Sequence, residues 1–269
     1  MRKFKSIFKV GKPIIGMIHL KALPGTPKFN NSTNEIIEAA IDEVEIYKNA
    51  GIDALAIENM HDVPYLKNDV GHEISSIMSI IAYEVKKRSN LPCGIQVLSS
   101  ANKAALAIAK SAGLDFIRAE GFVFGHVADE GYIDANGGEL LRYRKNIDAE
   151  NIAIFTDIKK KHSSHAITSD ISIVETAKAA EYFLSDGLII TGSSSAVPTD
   201  TNELKQIKKA CKIPVIVGSG VTIQNVSKYL LISDALFVGS YFKKEGFWAN
   251  ALEYDKIASF MSEVNSLRG

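Results

Sequence analysis

The sequence predicts a closed (β/α)8 barrel, and three observations point to it. Eight short apolar runs recur along 269 residues, helical stripes fill the gaps between them, and the runs alternate in how they begin. Pro13, Pro92 and Pro214 precede the first, third and seventh runs, whereas Asp53, Asp115, Asp186 and Asp234 precede the second, fourth, sixth and eighth. Proline at a strand's first position forfeits only a hydrogen bond that the ladder does not yet require. Continuous apolar runs fit strands buried on both faces. A doubly wound open sheet would show the same alternation of strands and helices and is the competing architecture. The chain length is near the roughly 250 residues usual for one barrel, so residues 1–269 are expected to form a single domain.

The strands are expected at Ile14 to Ile18, Ala54 to Ile57, Gly94 to Val97, Phe116 to Ala119, Ile152 to Thr156, Leu188 to Thr191, Val215 to Val217 and Ala235 to Val238. Gly51-Ile52-Asp53 and Gly113-Leu114-Asp115 each end a helix on a left-handed glycine before the next strand. Ser32 and Glu35 make a capping box ahead of Ile36, Ile37, Ala40, Ile41, Val44 and Tyr47, which share one helical face. Ile74, Ile77, Met78, Ile81 and Val85 repeat that spacing, as do Val174, Ala177, Ala180 and Phe183. These stripes read as core packing.

Lys plus Arg and Asp plus Glu both number 31, so no bulk charge argues for a nucleic-acid partner. No apolar stretch approaches the roughly 20 residues of a membrane span. Residues 1–12 are basic without the apolar segment of a secretory signal, so a cytoplasmic location is expected, with an organellar or peripheral-membrane location left open. Cys93 and Cys211 read as reduced, buried small residues.

A barrel works at the end where its strands finish. After the seventh run comes Gly218-Ser219-Gly220-Val221-Thr222 and after the eighth Gly239-Ser240. Glycines in these loops let backbone N–H groups approach phosphate oxygens, so Gly218, Ser219, Gly220, Gly239 and Ser240 are the expected phosphate cradle, with Thr222 capping the following helix. The alternative is that these glycines only make tight turns. The other strand ends carry His19, Glu58, Asn59, Gln96, Arg118, Glu120, Asp157, Lys159, Lys161, His162 and Thr191. Strand alternation pairs Asp157 with Lys159 and Arg118 with Glu120, and points Lys160 away. Such pairs suit a general base and a cation for a developing oxyanion, or else a structural salt bridge at the rim. Asp157 is the expected base, Lys159 the charge stabiliser, and Glu58 or Glu120 the acid or hydroxyl anchor. Lys159 or Lys161 also suits phosphate binding or a Schiff base. A divalent metal is a possible cofactor, because His126, Asp129, His162 and His165 lie near Glu58 and Asp157 in this reading, although their spacing matches no specific motif.

Residues Gly121 to Gly138, with Phe122, Phe124 and Tyr132, suit either a lid or a subunit interface, and so do Tyr241 to Trp248. A homo-oligomer is therefore expected.

Several segments in order resemble the BtpA/SgcQ family, in wording nearest its eukaryotic-type branch. They are Gly16-Met17-Ile18-His19-Leu20 with Leu23-Pro24-Gly25, Glu58-Asn59 with Asp62-Val63-Pro64, Asp115-Phe116-Ile117-Arg118, Asp157 with Lys161-His162, Thr191-Gly192, Gly218 to Thr222 with Asn225, and Val238-Gly239-Ser240 with Lys243 and Gly246. The resemblance implies a phosphate-binding-type TIM barrel. The family's name-giving cyanobacterial member is associated with accumulation of photosystem I, and others sit among sugar-metabolism genes. The chain departs from the commoner pattern at Gln96 to Ala101, where an arginine and an acid are lost, and at Ser195-Ala196 in place of a second Thr-Gly. Two functions are thus expected: an enzyme acting by acid/base chemistry on a small phosphorylated metabolite, a sugar phosphate or nucleotide-like compound, or a non-catalytic assembly factor of the photosystem I biogenesis type. Isomerisation, retro-aldol cleavage and hydrolysis all suit the enzyme reading.

Overall fold

Among the residues described by the computed structural model, 2–192 and 197–269, eight parallel strands close into a barrel. They are β1 (Ile14–His19), β2 (Ala54–Glu58), β3 (Cys93–Gln96), β4 (Phe116–Ala119), β5 (Ala153–Ile158), β6 (Gly187–Ile190), β7 (Val215–Val217) and β8 (Ala235–Val238). Each pairs with its neighbours in chain order, and β8 returns to β1 with Ile14 beside Leu236. The open sheet is thereby excluded.

The alternating strand starts have a concrete cause. Asp53, ahead of β2, accepts a hydrogen bond from the Ile14 N–H of β1 at 2.8 Å. Asp115 does the same for Cys93 of β3 at 2.8 Å, Asp186 for Ile154 of β5 at 3.0 Å, and Asp234 for Val215 of β7 at 2.8 Å. Each carboxylate also holds a cation from an outer helix: Arg268 of the C-terminal helix for Asp53, and Lys86, Arg144 and Lys208 of the helices preceding β3, β5 and β7 for the others. The prolines complete the pattern from the other side. The carbonyls of Pro13, Pro92 and Pro214 accept from Leu236, Leu55 and Leu188 of the even strands, at 3.0, 3.0 and 2.8 Å.

Residues 2–12 are part of this floor. Helix α1 (Arg2–Ile7) sets Phe4 under the barrel with Phe8 just beyond it, and their rings meet Phe116 and Phe155 at centroid distances of 5.8–6.3 Å. Lys3 adds a second cation to Asp186 at 3.0 Å. The interior above them is filled by Ile15, Met17, Ala56, Phe155, Ile189, Ile216 and Phe237. Gly94 is required there, since a Cβ would stand 2.1 Å from the Phe116 ring.

The outer ring comprises α2 (Thr33–Asn49), α3 (His72–Ser89), α4 (Asn102–Ala112), α5 (Gly137–Asn146), α6 (Ile173–Tyr182), α7 (Thr201–Ala210), α8 (Val226–Ile232) and α9 (Tyr254–Arg268). The Ser32–Glu35 capping box is present, and Ser172 with Glu175 makes a second that the sequence reading missed. Phe183 departs from its expected stripe: it caps the C-terminus of α6 and is exposed. Thr222 does not cap α8 through its side chain; the helix starts at Val226 after Asn225, and the Asn225 amide instead braces the loop by accepting from the Thr222 N–H and donating to the Gly220 carbonyl. Cys93 and Cys211 are both free and buried. No described helix is long and apolar enough to cross a membrane.

The aspartate latches are expected to be stability determinants. Asp186→Ala would leave a strand N–H and Arg144 without their acceptor in a largely buried place, at a cost of about 3 kcal/mol. Asp200→Ala, which removes an exposed helix cap, would cost about 1 kcal/mol. Urea unfolding of the two variants checks the ranking, and equal losses would remove the latch from the account of the fold.

Candidate active site

The ends of the strands surround a cavity of about 510 Å³. Its wall includes Arg118, which is held in a buried ion pair. Arg118, inward on β4, donates from Nε and Nη2 to the two oxygens of Asp157 on β5, both at 2.8 Å. The side chains are 7% and 1% exposed. Burial works against the guanidinium's charge, but Asp157 more than offsets it and holds Arg118 firmly protonated. The guanidinium also lies 5.5 Å from the Phe237 ring centroid. This geometry corrects the expectation that Asp157 is a general base. Both its oxygens are committed to Arg118 and it does not line the main cavity, so it positions Arg118.

Lys159 is a second correction. Strand β5 ends at Ile158, and Lys159 turns into the left-handed region with φ 45°, which breaks the alternation used to place it. Its Nζ donates to the Thr168 carbonyl at 3.2 Å, away from the cavity. The same turn brings in Lys160, which alternation had pointed outward. Lys160 pairs with Glu120 at 3.2 Å, and it lines the cavity with Lys161 and His162. Burial, followed by the charge of Arg118, lowers the Lys161 ammonium below its ordinary range. The Thr191 hydroxyl accepts from the Lys161 backbone N–H at 3.2 Å and so holds this turn rather than facing the cavity.

The two glutamates that sequence left as alternatives differ sharply. Glu120 receives Gln96 Nε2 at 3.1 Å on one oxygen, and on the other the Ser99 hydroxyl at 3.2 Å, the Ser100 N–H at 3.1 Å and Lys160. Burial alone would raise its pKa, but Lys160 and Arg118 hold it below the ordinary range. Glu120 is therefore a fixed anion, not an acid. Ser99 and Ser100 hold it together with Gln96 and Lys160. Glu58 is the opposite case. Burial dominates and raises its pKa, despite Arg118 and Lys161.

Glu58 Oε2 stands 3.5 Å from His19 Nε2. His19 Nδ1 is 3.0 Å from the Trp248 carbonyl, which can only accept, so Nδ1 carries the ring proton. Burial, then the charge of Lys243, pushes His19 down to about 3, leaving the imidazole neutral with an Nε2 lone pair toward Glu58. With His19 neutral the contact is not a salt bridge, and burial favours the neutral form of Glu58.

Gly218, Ser219 and Gly220 with Val221 and Thr222, and Gly239 with Ser240, form one wall of the cavity. Gly220 has φ 68°, and a Cβ there would lie 2.3 Å from the Val197 carbonyl oxygen. Ser219 Oγ accepts from the Gly192 N–H at 2.9 Å and ties the sixth loop to the seventh. The Ser195-Ala196 departure lies outside the described residues. Asn59 does not line the cavity: it donates to Asp62 at 2.8 Å and accepts from the Leu98 N–H at 2.7 Å, and Asp62 in turn accepts from the Leu23 N–H.

Two additions to the barrel roof the site. Gly121 to Gly138 contains a hairpin of His126–Ala128 and Gly131–Ile133, to which Ser163–Ser164 adds a third antiparallel strand. Its tip, Asp129-Glu130, lines the cavity. From the other side come Tyr241, Gly246 and Trp248, with the Trp248 ring against His61 at 4.8 Å. The metal cluster expected from the histidines does not assemble. His126 and His165 pack ring to ring at 5.4 Å, Glu58 and Asp157 have the partners given above, and no group of three His, Cys, Asp or Glu side chains among the described residues is placed to hold an ion.

The geometry can be set beside known proteins. A mitochondrial protein of Caenorhabditis elegans, itself uncharacterized, is 45% identical over 260 residues, covering 95% of this chain and 94% of the relative. The photosystem I biogenesis protein BtpA of Synechocystis is 30% identical over 258 residues, covering 96% and 89%. Among solved structures, geranylgeranylglyceryl phosphate synthase from Thermoplasma acidophilum superposes with a TM-score of 0.59 at 16% identity, covering 98% of this chain and 97% of that one, which is a likeness of fold. The model of the BtpA family matches residues 10–266, and the chain belongs to that family.

Proposed function

We propose that this chain is an enzyme that acts on a small phosphorylated metabolite by acid/base chemistry at the barrel mouth. One observation carries the reading: a single cavity is lined both by Glu58, a carboxyl whose pKa burial raises, and by a glycine wall built from the loops after β7 and β8. Gly218 to Gly220 with Gly239 and Ser240 hold the phosphate, since glycine lets backbone dipoles approach its oxygens. Glu58 is the general acid. It gives its proton to a ligand oxygen, and the carboxylate left behind is stabilised by Arg118 and Lys161. His19 keeps the proton on Glu58 between turnovers. Lys161 takes the charge-stabilising role that sequence had given to Lys159. The fold likeness to a synthase crystallised with glycerol phosphate is consistent with this use of the mouth.

The Synechocystis relative favours a second reading, in which the barrel is a non-catalytic assembly factor. Glu58→Gln separates the two: an assembly role survives this nearly isosteric change in a complementation assay, whereas an enzymatic role does not.

A thermal-shift screen of phosphorylated sugars and nucleotides checks the cradle. At least one compound is expected to stabilise the protein, and Ser219→Asp, which adds a negative charge to the wall, is expected to abolish the shift. Hits that all survive Ser219→Asp, or a screen without hits, would sink the phosphate reading. For Glu58→Gln, turnover of the best hit is expected to fall at least about 1000-fold with affinity changed only a few-fold. Stability supplies an independent check. Because the folded-state pKa of Glu58 is raised, its contribution to folding is fully present below the ordinary carboxyl range and is lost as pH rises through the raised value. The melting temperature of Glu58→Gln should therefore gain on wild type as pH rises from 4 to 8, and a constant difference would show that Glu58 is not held protonated.

A further inference from the structure

Resting on the phosphate reading above, we propose that Gln96 is the specificity residue for the other end of the ligand, and that this end is an uncharged, polyhydroxylated group. Gln96 is the last residue of β3, turned inward on the cavity wall and 3% exposed. Its amide has one possible orientation. Glu120 is held ionised and can only accept, so the Gln96 NH2 faces it, and Oε1 is directed elsewhere. That Oε1 is buried and accepts no hydrogen bond from the described residues.

Buried acceptors are nearly always satisfied, so one that is fixed in place without a donor on a cavity wall asks for a donor from the ligand. Glu130 Oε2 repeats the observation from the opposite side: it is buried, without a donor, on the hairpin tip that lines the same cavity. The ligand must therefore present donors in more than one direction. The hydroxyls of a tetrahedral carbon chain do so, and the edge of a planar base does not. A carboxylate head would bring acceptors to acceptors, with Glu120 close behind Gln96. An ammonium head would meet Lys160, Lys161 and Arg118. Trp248, Met17 and Phe237 supply apolar surface for the C–H faces of such a chain.

The test is calorimetric titration of the full chain with ribose 5-phosphate, glucose 6-phosphate, their deoxy analogues, 3-phosphoglycerate, phosphoenolpyruvate and inorganic phosphate. A site that hydrogen-bonds a hydroxyl rejects the analogue lacking it strongly. Wild type is expected to prefer at least one sugar phosphate over its deoxy analogue by about 100-fold or more, and over both carboxylates. Gln96→Met, which keeps the volume and leaves Glu120 its bonds to Ser99, Ser100 and Lys160, is expected to reduce that preference below about tenfold while inorganic phosphate binds unchanged. Equal binding of hydroxylated and deoxy compounds by wild type overturns the proposal without recourse to any variant, and so does a preference that survives Gln96→Met. Loss of all binding, inorganic phosphate included, is the separate failure of the phosphate reading.

Discussion

A closed parallel barrel has no edge, so every strand must start in register with two neighbours, and the first N–H groups at its floor must find acceptors where the ladder has not yet formed. Here that constraint is met by one carboxylate per pair of strands. Asp53, Asp115, Asp186 and Asp234 each reach back to the first N–H groups of the preceding odd strand and tie it to a cation on an outer helix. Barrel, helix and register are fixed by the same side chain. The rest of the molecule relies on this floor, because residues at the mouth are placed by counting upward from it.

The mouth inherits a problem from that order: Glu58 of β2, Arg118 and the following Glu120 at the end of β4, and Asp157 of β5 carry charge into a buried place. Most of that charge is matched locally, Arg118 by Asp157 and Glu120 by Lys160, with serine hydroxyls closing the remaining lone pairs. Such pairs hold shape, and removing one partner would leave the other buried and uncompensated. Glu58 is left out of the matching. The imidazole 3.5 Å away is neutral, so burial prevails and raises the pKa of the carboxyl. A titration displaced from what water would give distinguishes a reactive position from a structural one.

The floor was legible in sequence because it is written in residue types that have few other uses. An aspartate or proline directly before an apolar run has a local meaning, and all eight strands fell within two residues of their expected ends. The glycine wall was legible for the same reason. The mouth was harder, since its residues were placed by extrapolating strand alternation one or two residues past the strand. That works for His19 and Glu58, where β1 and β2 persist. It fails at Lys159, where positive φ breaks the alternation, so that Lys160 and not Lys159 reaches the cavity. Asp157 was placed correctly but misread, because alternation along β5 cannot show that Arg118 of β4 is its partner. Three strands of the hairpin sheet escaped notice because each is only two or three residues long.

The roof also bears on where the proton sits. His19 Nδ1 is fixed as the donor by the carbonyl of Trp248, a residue of the loop after β8 and not of the barrel proper. If that carbonyl moves away, nothing selects the tautomer, and an imidazole that turns Nε2–H toward Glu58 stabilises the carboxylate instead of the acid. The loop after β8 thus fixes the tautomer of the imidazole beside Glu58, while burial raises the pKa of the carboxyl itself.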